Sequence, residues 1–190
     1  MDGTSFMSVD EVAQTLGVSK SYAYKIVHQL NAELKAEGYL TISGRVNYRE
    51  YFKKQGMFEN DVYDGIHDLL IELKTKGKSL IVATSKPEAF AVEILRHFDL
   101  YNYFDFVAGA TMNDVRNKKE DIIRYALENC HISDKSSAVM IGDREHDIIG
   151  AKENGLDSIG VLFGYGTYDE LKNAGATFIA ETPNDIVKYV

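Results

Sequence analysis

The sequence predicts an α/β protein, a Rossmann-like parallel sheet over residues 61–190, joined by a linker at 51–60 to a small winged helix-turn-helix over residues 1–50. Three observations carry this reading. From Val62 onward, short apolar runs alternate with stretches of helical spacing, the rhythm of a parallel sheet with helices on both faces. Several of those runs end in hydroxyls, a lysine or carboxylates, where open α/β sheets place their ligands. The first fifty residues follow a different pattern, two helices about a Gly-Val-Ser turn.

The bulk numbers set the frame. A chain of 190 residues, 45% apolar and 26% charged, describes a globular protein with room for one ordinary domain and a small one. No apolar run reaches the length of a membrane span and no N-terminal signal pattern is visible, so the expectation is a cytoplasmic protein with no membrane partner. The single Cys130 excludes an internal disulfide framework and fits a reducing compartment. The net charge of -8 is unevenly spread: residues 1–55 hold seven Lys/Arg against six Asp/Glu, the remainder 14 against 23. The acidic part is a poor partner for nucleic acid; the first part is at least not repelled.

Ser8, with Glu11 three residues on, forms a capping-box signature for a first helix ending near Leu16. Gly17-Val18-Ser19 turns, Ser19 caps, and a second helix runs from about Lys20 to Glu37 with Ala23, Ile26, Val27, Leu30 and Leu34 on one face. Tyr39-Leu40-Thr41-Ile42 alternates as a strand, and Ser43-Gly44-Arg45 turns into a wing. The second helix would present Lys20, Ser21, Tyr22, Tyr24 and Lys25 outward, with Arg45 on the wing; these types suit phosphate and base-edge contacts to duplex DNA. The same face also reads as the solvated side of a small helical interaction module.

Residues 48–60 read as a connecting helix and linker. Then follow a helix over 63–76, strand 80–83, helix 88–98, strand 106–108, helix 120–130, strand 138–141, helix 147–154, strand 158–162, strand 177–180 and a last helix at 183–189. Strand 80–83 leads into Thr84-Ser85-Lys86-Pro87, a hydroxyl pair and a base where a phosphate could rest; Lys118-Lys119 precedes a helix; strand 138–141 delivers Asp143 and Asp147; strand 158–162 delivers the open Gly164-Tyr165-Gly166. Asp143 and Asp147 repel each other unless a cation intervenes, and Mg²⁺ is the hard divalent ion that fits a site also holding phosphate. A lone Gly-Asp-x-x-x-Asp is equally an N-cap aspartate before a solvated helix. Order and position at successive strand ends make the signal.

These segments, with Ile141-Gly142-Asp143-Arg144-Glu145-His146-Asp147, Ala151-Lys152-Glu153-Asn154-Gly155 and Gly160-Val161-Leu162-Phe163-Gly164-Tyr165-Gly166, resemble the haloacid dehalogenase superfamily of phosphatases near its phosphoglycolate phosphatase and 5′-nucleotidase-like branch, over residues 57–190. The resemblance implies that Thr84 hydrogen-bonds the transferring phosphoryl group, that Lys119 rather than Lys118 steadies its charge, with Ser85 and Lys86 beside it, and that Asp143 and Asp147 hold Mg²⁺. It implies a small phosphorylated metabolite as substrate. Residues 5–50 resemble the small helix-turn-helix proteins of mobile elements, on Ser8-Val9-Asp10-Glu11-Val12-Ala13, Val18-Ser19-Lys20-Ser21-Tyr22-Ala23-Tyr24-Lys25 and Gly44-Arg45-Val46-Asn47.

The family's mechanism needs an Asp-x-Asp on a central strand, its first Asp attacking phosphorus. No two aspartates stand two residues apart anywhere in the chain. Met1-Asp2-Gly3-Thr4 looks like the tail of such a motif but reads as the lead-in to the helix-turn-helix. The expectation is therefore a phosphatase-like scaffold without its central strand or nucleophile, impaired as an enzyme. The other reading is a DNA-binding regulator whose acidic half senses a ligand or dimerises. An absent central strand leaves an open edge that invites pairing with another chain, hence a homo-oligomer, unless strand 39–42 fills the gap.

Overall fold

Residue 61 divides the chain into two units, residues 1–61 and 62–190, and the computed structural model describes residues 6–16, 19–36, 38–47, 61–111 and 115–190. The Gly17-Val18 turn, the helix expected over 48–60 and the Met1–Thr4 lead-in lie outside the described residues. Among the described residues no helix is long and apolar enough to cross a membrane.

In the first unit a short strand β1 (Phe6–Ser8) pairs antiparallel with β2 (Arg45–Asn47), around helices α1 (Val9–Leu16) and α2 (Lys20–Ala36). The capping box forms as its spacing predicts: the Ser8 amide and hydroxyl both donate to Glu11 Oε2 at 2.7 Å, and the Glu11 amide donates to Ser8 Oγ at 3.3 Å. Ser19 accepts from the Tyr22 amide at the start of α2. Val12, Ala23, Val27, Leu30 and Leu34 close a core with Met7, Val9 and Val46; Ile26 packs at its margin. The strand expected at 39–42 does not form. Only Ile42 pairs, in a single bridge to Arg45, and Leu40 is 95% exposed. The reason lies on α2: Asn31 Nδ2 donates to the carbonyls of Ile42 and Arg45, at 3.1 and 2.7 Å, and draws the chain into a tight turn at Ser43-Gly44. Gly44 takes the left-handed backbone this turn needs, at φ +71°. Residues 39–42 therefore offer no strand to a neighbouring sheet.

The second unit runs α3 (Ile66–Thr75), β3 (Ile81–Pro87), α4 (Glu88–His97), β4 (Phe106–Ala110), α5 (Lys119–Asn129), β5 (Val139–Gly142), α6 (Glu145–Glu153), β6 (Asp157–Val161), α7 (Tyr168–Ala174), β7 (Phe178–Ala180) and α8 (Pro183–Ile186). Helix α7 has no counterpart in the periodicity. The parallel arrangement that the sequence suggests is found: among the described residues β3 pairs with β4, and β5–β6–β7 form a second set, all parallel. Among the described residues no strand bonds both β3, which carries Thr84, and β5, which leads into Asp143.

Each sheet is buried under its helices. On β6, Ile159 and Val161 join Leu69 and Leu73 of α3 and Ile186 of α8 in one core. The alternate residue Gly160 faces Leu171 of α7, where a Cβ would come within 3.1 Å of its side chain. Ala108 and Ala110 of β4 pack against Ile122 and Ala126 of α5. Helix α5 lies on β3 and β4, α6 lies on β5 and β6, and the two helices touch. Gly150 lets them close: a Cβ there would stand 2.9 Å from Lys119 Cγ and 3.2 Å from the Glu120 amide. Asn154 Nδ2 ties the crossing by donating to the Glu120 carbonyl at 3.0 Å.

Asp105 anchors the start of β3. Its carboxylate accepts from Lys74 Nζ at 2.8 and 2.9 Å and from the Leu80 amide at 2.8 Å. The Lys74 contact first, then the Leu80 amide, hold this carboxyl below its usual 3.8. A group depressed in the folded state adds stability that is full above the unfolded value and is lost as pH falls through the folded one. Asp105→Asn is therefore expected to lower the urea midpoint at pH 7, with the difference from the parent shrinking as pH falls below 3.8. A difference constant from pH 7 to pH 3 would contradict this.

Candidate active site

The strand ends meet at one place through a lysine. Helix α5 begins at Lys119, whose Nζ donates to the Ala83 carbonyl of β3 at 2.9 Å and pairs with Asp147 Oδ1 of α6 at 2.8 Å. Both side chains are buried, 12% and 9% exposed. Taking two charges from water is costly, and the pair tolerates it because each member has further partners. Asp147 Oδ2 accepts from the Arg144 amide at 3.1 Å, and its own amide donates to the Arg144 carbonyl at 3.0 Å, which fixes the start of α6. Lys118, the other lysine the sequence offers, is 71% exposed and approaches Glu120 at 4.0 Å.

Three glycines make room. A Cβ on Gly142 would lie 2.2 Å from Asp147 Cβ, one on Gly164 2.3 Å from Asp143 Cβ, and one on Gly166 1.9 Å from the Asp143 carbonyl oxygen. Asp143 Oδ2 accepts from the Tyr165 amide at 2.8 Å, which holds the loop after β6 against the end of β5. Thr84 sits at the end of the regular β3 register, where the pairing with β4 shifts between Thr84 and Pro87. The shift exposes Ser85 and Lys86, and the Lys86 amide donates to Thr84 Oγ1 at 3.2 Å, leaving the hydroxyl proton available. Thr84 thus follows Ala83, whose carbonyl Lys119 holds, and Asp143 follows β5, ahead of the helix whose Asp147 pairs with Lys119.

Further residues shape this site without a signal in the sequence. Glu170 of α7 accepts from Arg144 Nε at 2.8 Å and from the Glu145 amide at 3.0 Å, securing the start of α6. Arg144 in turn holds the Glu170 carboxyl below its ordinary range, and Glu170 raises the guanidinium of Arg144. Tyr63, ahead of α3, has its phenol pushed above 10.0 by burial first and then by the charges of Tyr165 and Asp143. Tyr63 also packs edge-on against Phe163. On β4's side, Arg116 donates to Glu88 Oε2 at 3.0 Å and to the Gly109 carbonyl at 2.9 Å, fixing the start of α4.

As a metal site, the donor set fits in part. Asp143 spends one oxygen on the Tyr165 amide and keeps lone pairs for a cation. Asp147 already answers Lys119 on one oxygen and the Arg144 amide on the other. Among the described residues no group of three or more His, Cys, Asp or Glu is placed to hold a metal. Mg²⁺ retains several waters and needs few protein oxygens, which this set can supply.

The buried pair gives a clear test. Lys119→Met leaves Asp147 buried without its cation, an arrangement that costs about 3–5 kcal/mol. Denaturant unfolding is expected to show a loss of that order. A loss under about 1 kcal/mol, the range of exposed pairs, would mean that the bridge contributes little.

Comparison with known proteins agrees with this geometry. Residues 2–161 match the family model described as haloacid dehalogenase-like hydrolase. The chain is 44% identical over 126 residues to a 5′-nucleotidase of Pseudomonas aeruginosa, covering 66% of this chain and 57% of that protein. It is 39% identical over 134 residues to the tyrosine-protein kinase PtkA of Mycobacterium tuberculosis, covering 70% of this chain and 46% of that one. The chain thus spans about half the length of these curated relatives. Among solved structures, a predicted phosphatase from Clostridium acetobutylicum superposes with a TM-score of 0.75 at 38% identity, over 100% of this chain and 94% of that one. The strand-end crevice, its glycines and the family match lead to one conclusion: the chain belongs to the haloacid dehalogenase-like hydrolases.

Proposed function

We propose that the second unit is a phosphate- and Mg²⁺-binding scaffold of the phosphomonoesterase type, and that this chain alone turns over phosphomonoesters weakly. The observation that supports it is the Lys119 bridge between the Ala83 carbonyl, next to Thr84, and Asp147. It brings an ammonium and a carboxylate beside the strand ends that lead into Thr84 and Asp143, and these four residue types are the inventory for a phosphoryl group and a divalent ion. In this reading Thr84 donates to a phosphoryl oxygen, with Ser85 and Lys86 at the rim, Lys119 balances its charge, and Asp143 is the direct metal ligand. Mg²⁺, when bound, would neutralise phosphoryl oxygens. The substrate class, nucleotide-like or other small phosphates, follows from the nucleotidase relative; PtkA likewise bears a name for phosphoryl chemistry.

Weak turnover follows from the missing nucleophile: the sequence contains no Asp-x-Asp. With p-nitrophenyl phosphate and Mg²⁺, turnover near background is expected, while Mg²⁺ still raises the thermal midpoint of the parent and not of Asp143→Ala. Robust turnover that Asp143→Ala abolishes would overturn the impaired reading.

A second reading concerns the first unit, as a duplex-DNA binder. Ser21, Tyr22, Tyr24 and Lys25 stand exposed along the first turns of α2 while Ala23 and Val27 face the core, and Arg45 is exposed beside the Ser43-Gly44 turn. Lys20 pairs with Asp10 at 2.7 Å, both ends largely solvated, so a phosphate can compete for it at small cost. Fluorescence anisotropy with a 30-base-pair duplex is expected to show affinity that falls with salt. Lys20→Ala plus Lys25→Ala should reduce the salt slope by about one to two contacts. No binding at 50 mM salt would exclude this reading.

A further inference from the structure

We propose that Arg116 is a positioning residue for phosphate binding, holding Ser85 and Lys86 of β3 where they meet phosphoryl oxygens. The inference rests on the phosphate reading above and extends it to a residue that acts through others. The first ground is the ladder between β3 and β4. Thr84 pairs with Gly109 and Pro87 with Ala110, so a three-residue advance on β3 answers a single step on β4. Ser85 and Lys86 are the surplus, and surplus residues in a ladder bend the strand and re-aim its side chains. Both stand exposed, between half-buried Thr84 and half-buried Pro87.

A bulge keeps one shape only when both of its ends are fastened. The near end is Thr84, in register with Gly109. The far end is Glu88, and it returns to the same glycine: the Gly109 amide donates to Glu88 Oε2 at 3.2 Å. A Cβ on Gly109 would lie 2.4 Å from Glu88 Cα and 2.6 Å from the Glu88 nitrogen, so glycine alone admits this approach. Arg116 completes the clamp. Its Nε donates to the Gly109 carbonyl at 2.9 Å and its Nη2 to Glu88 Oε2 at 3.0 Å. One ion pair thus engages both backbone groups of Gly109.

Arg116 is itself held firmly. Its amide donates to Thr111 Oγ1 at 3.0 Å, and its carbonyl accepts from the Thr111 amide at 2.8 Å. Its guanidinium lies 3.5 Å above the Tyr125 ring of α5. A planar fork suits this place, because one group serves a carbonyl and a carboxylate while it stacks on a ring. The carboxylate of Glu88 is 40% exposed, so the pair contributes little through charge alone. Its effect is geometric.

That geometry reaches the proposed ligand groups through the backbone. The Lys86 amide donates to Thr84 Oγ1 at 3.2 Å, so the shape of the bulge also sets the orientation of the Thr84 hydroxyl. Glu88 is the first residue of α4, and the clamp therefore fixes the helix start and the turn before it together. Without Arg116, Glu88 keeps only the Gly109 amide, and residues 85–87 can relax toward other registers. Arg116 thus acts on Thr84, Ser85 and Lys86 by way of Glu88 and Gly109.

The test titrates inorganic phosphate, with Mg²⁺ present, into the isotopically labelled full chain and follows the Ser85 and Lys86 amides by NMR. Arg116→Met is expected to weaken phosphate binding about tenfold, the low end of what outer supports of a binding site contribute. The same variant should broaden or split both amide signals before any phosphate is added. Arg116→Lys, which keeps the charge but not the fork, is expected to fall between it and the parent. Asp105→Asn is the control: it loosens the opposite end of β3 and should leave phosphate affinity at the parent's value. Parental affinity in Arg116→Met, or in Arg116→Lys where only that variant folds, would overturn the inference alone. Equal weakening by Asp105→Asn would also overturn it, as a general loss of fold. A parent that binds no phosphate would overturn the phosphate reading, and this inference with it.

Discussion

The pairing of Lys119 with Asp147 is the constraint on which the second unit depends. A lone buried ammonium or carboxylate is untenable, so the two must meet, and each also takes a backbone partner, the Ala83 carbonyl and the Arg144 amide. That arrangement joins β3, α5 and α6 at their functional ends. It also explains why the space around it is made of glycine: Gly142 beside Asp147, and Gly150 beside the stem of Lys119, leave no room for a Cβ. The ion pair and the glycines are one device, since larger residues would part the helices and strand the charges.

The same bridge substitutes for a strand. Edge carbonyls in a sheet need a hydrogen-bond partner, and at Ala83 a side chain provides it. Lysine suits the task because its three donors can serve a carbonyl and a carboxylate at once and still face a ligand. Lys119 therefore holds the scaffold, and in the proposed function the same group meets the phosphoryl oxygens. Removing Lys119 would disturb both, so a loss of phosphate binding in such a variant would need to be separated from a loss of fold.

Much of this was legible in the sequence because its residues stand at fixed places relative to strong signals. Thr84 follows Leu80-Ile81-Val82-Ala83, Asp143 follows Val139-Met140-Ile141-Gly142, and the start of a helix turns Lys119, not Lys118, inward. What escaped lacks such a signal. Helix α7 spans seven residues and buries only Leu171, too little for a helical period to show, yet it delivers Glu170. Strand β1 has three residues and exists through its pairing with β2. Tyr39–Ile42 alternates like a strand, but Asn31 claims the carbonyls at its end from eleven residues away. Those are tertiary decisions, and local pattern cannot encode them.

The division of the parallel strands into two sets has the same origin. Apolar runs identify β3 and β5 as interior strands, but pairing is a property of neighbours, and no described strand stands between them. The family match starts at residue 2 and ends at residue 161, so it takes in sequence on both sides of the division at residue 61. The composition of β3 and β5 is that of strands covered on both edges, whereas among the described residues each pairs along one. Between an interior sequence and an edge environment there is a free-energy difference of about 25 cal/mol for each Å² of apolar surface left in water. That difference favours any arrangement that covers β3 and β5, whose apolar runs are those of interior strands.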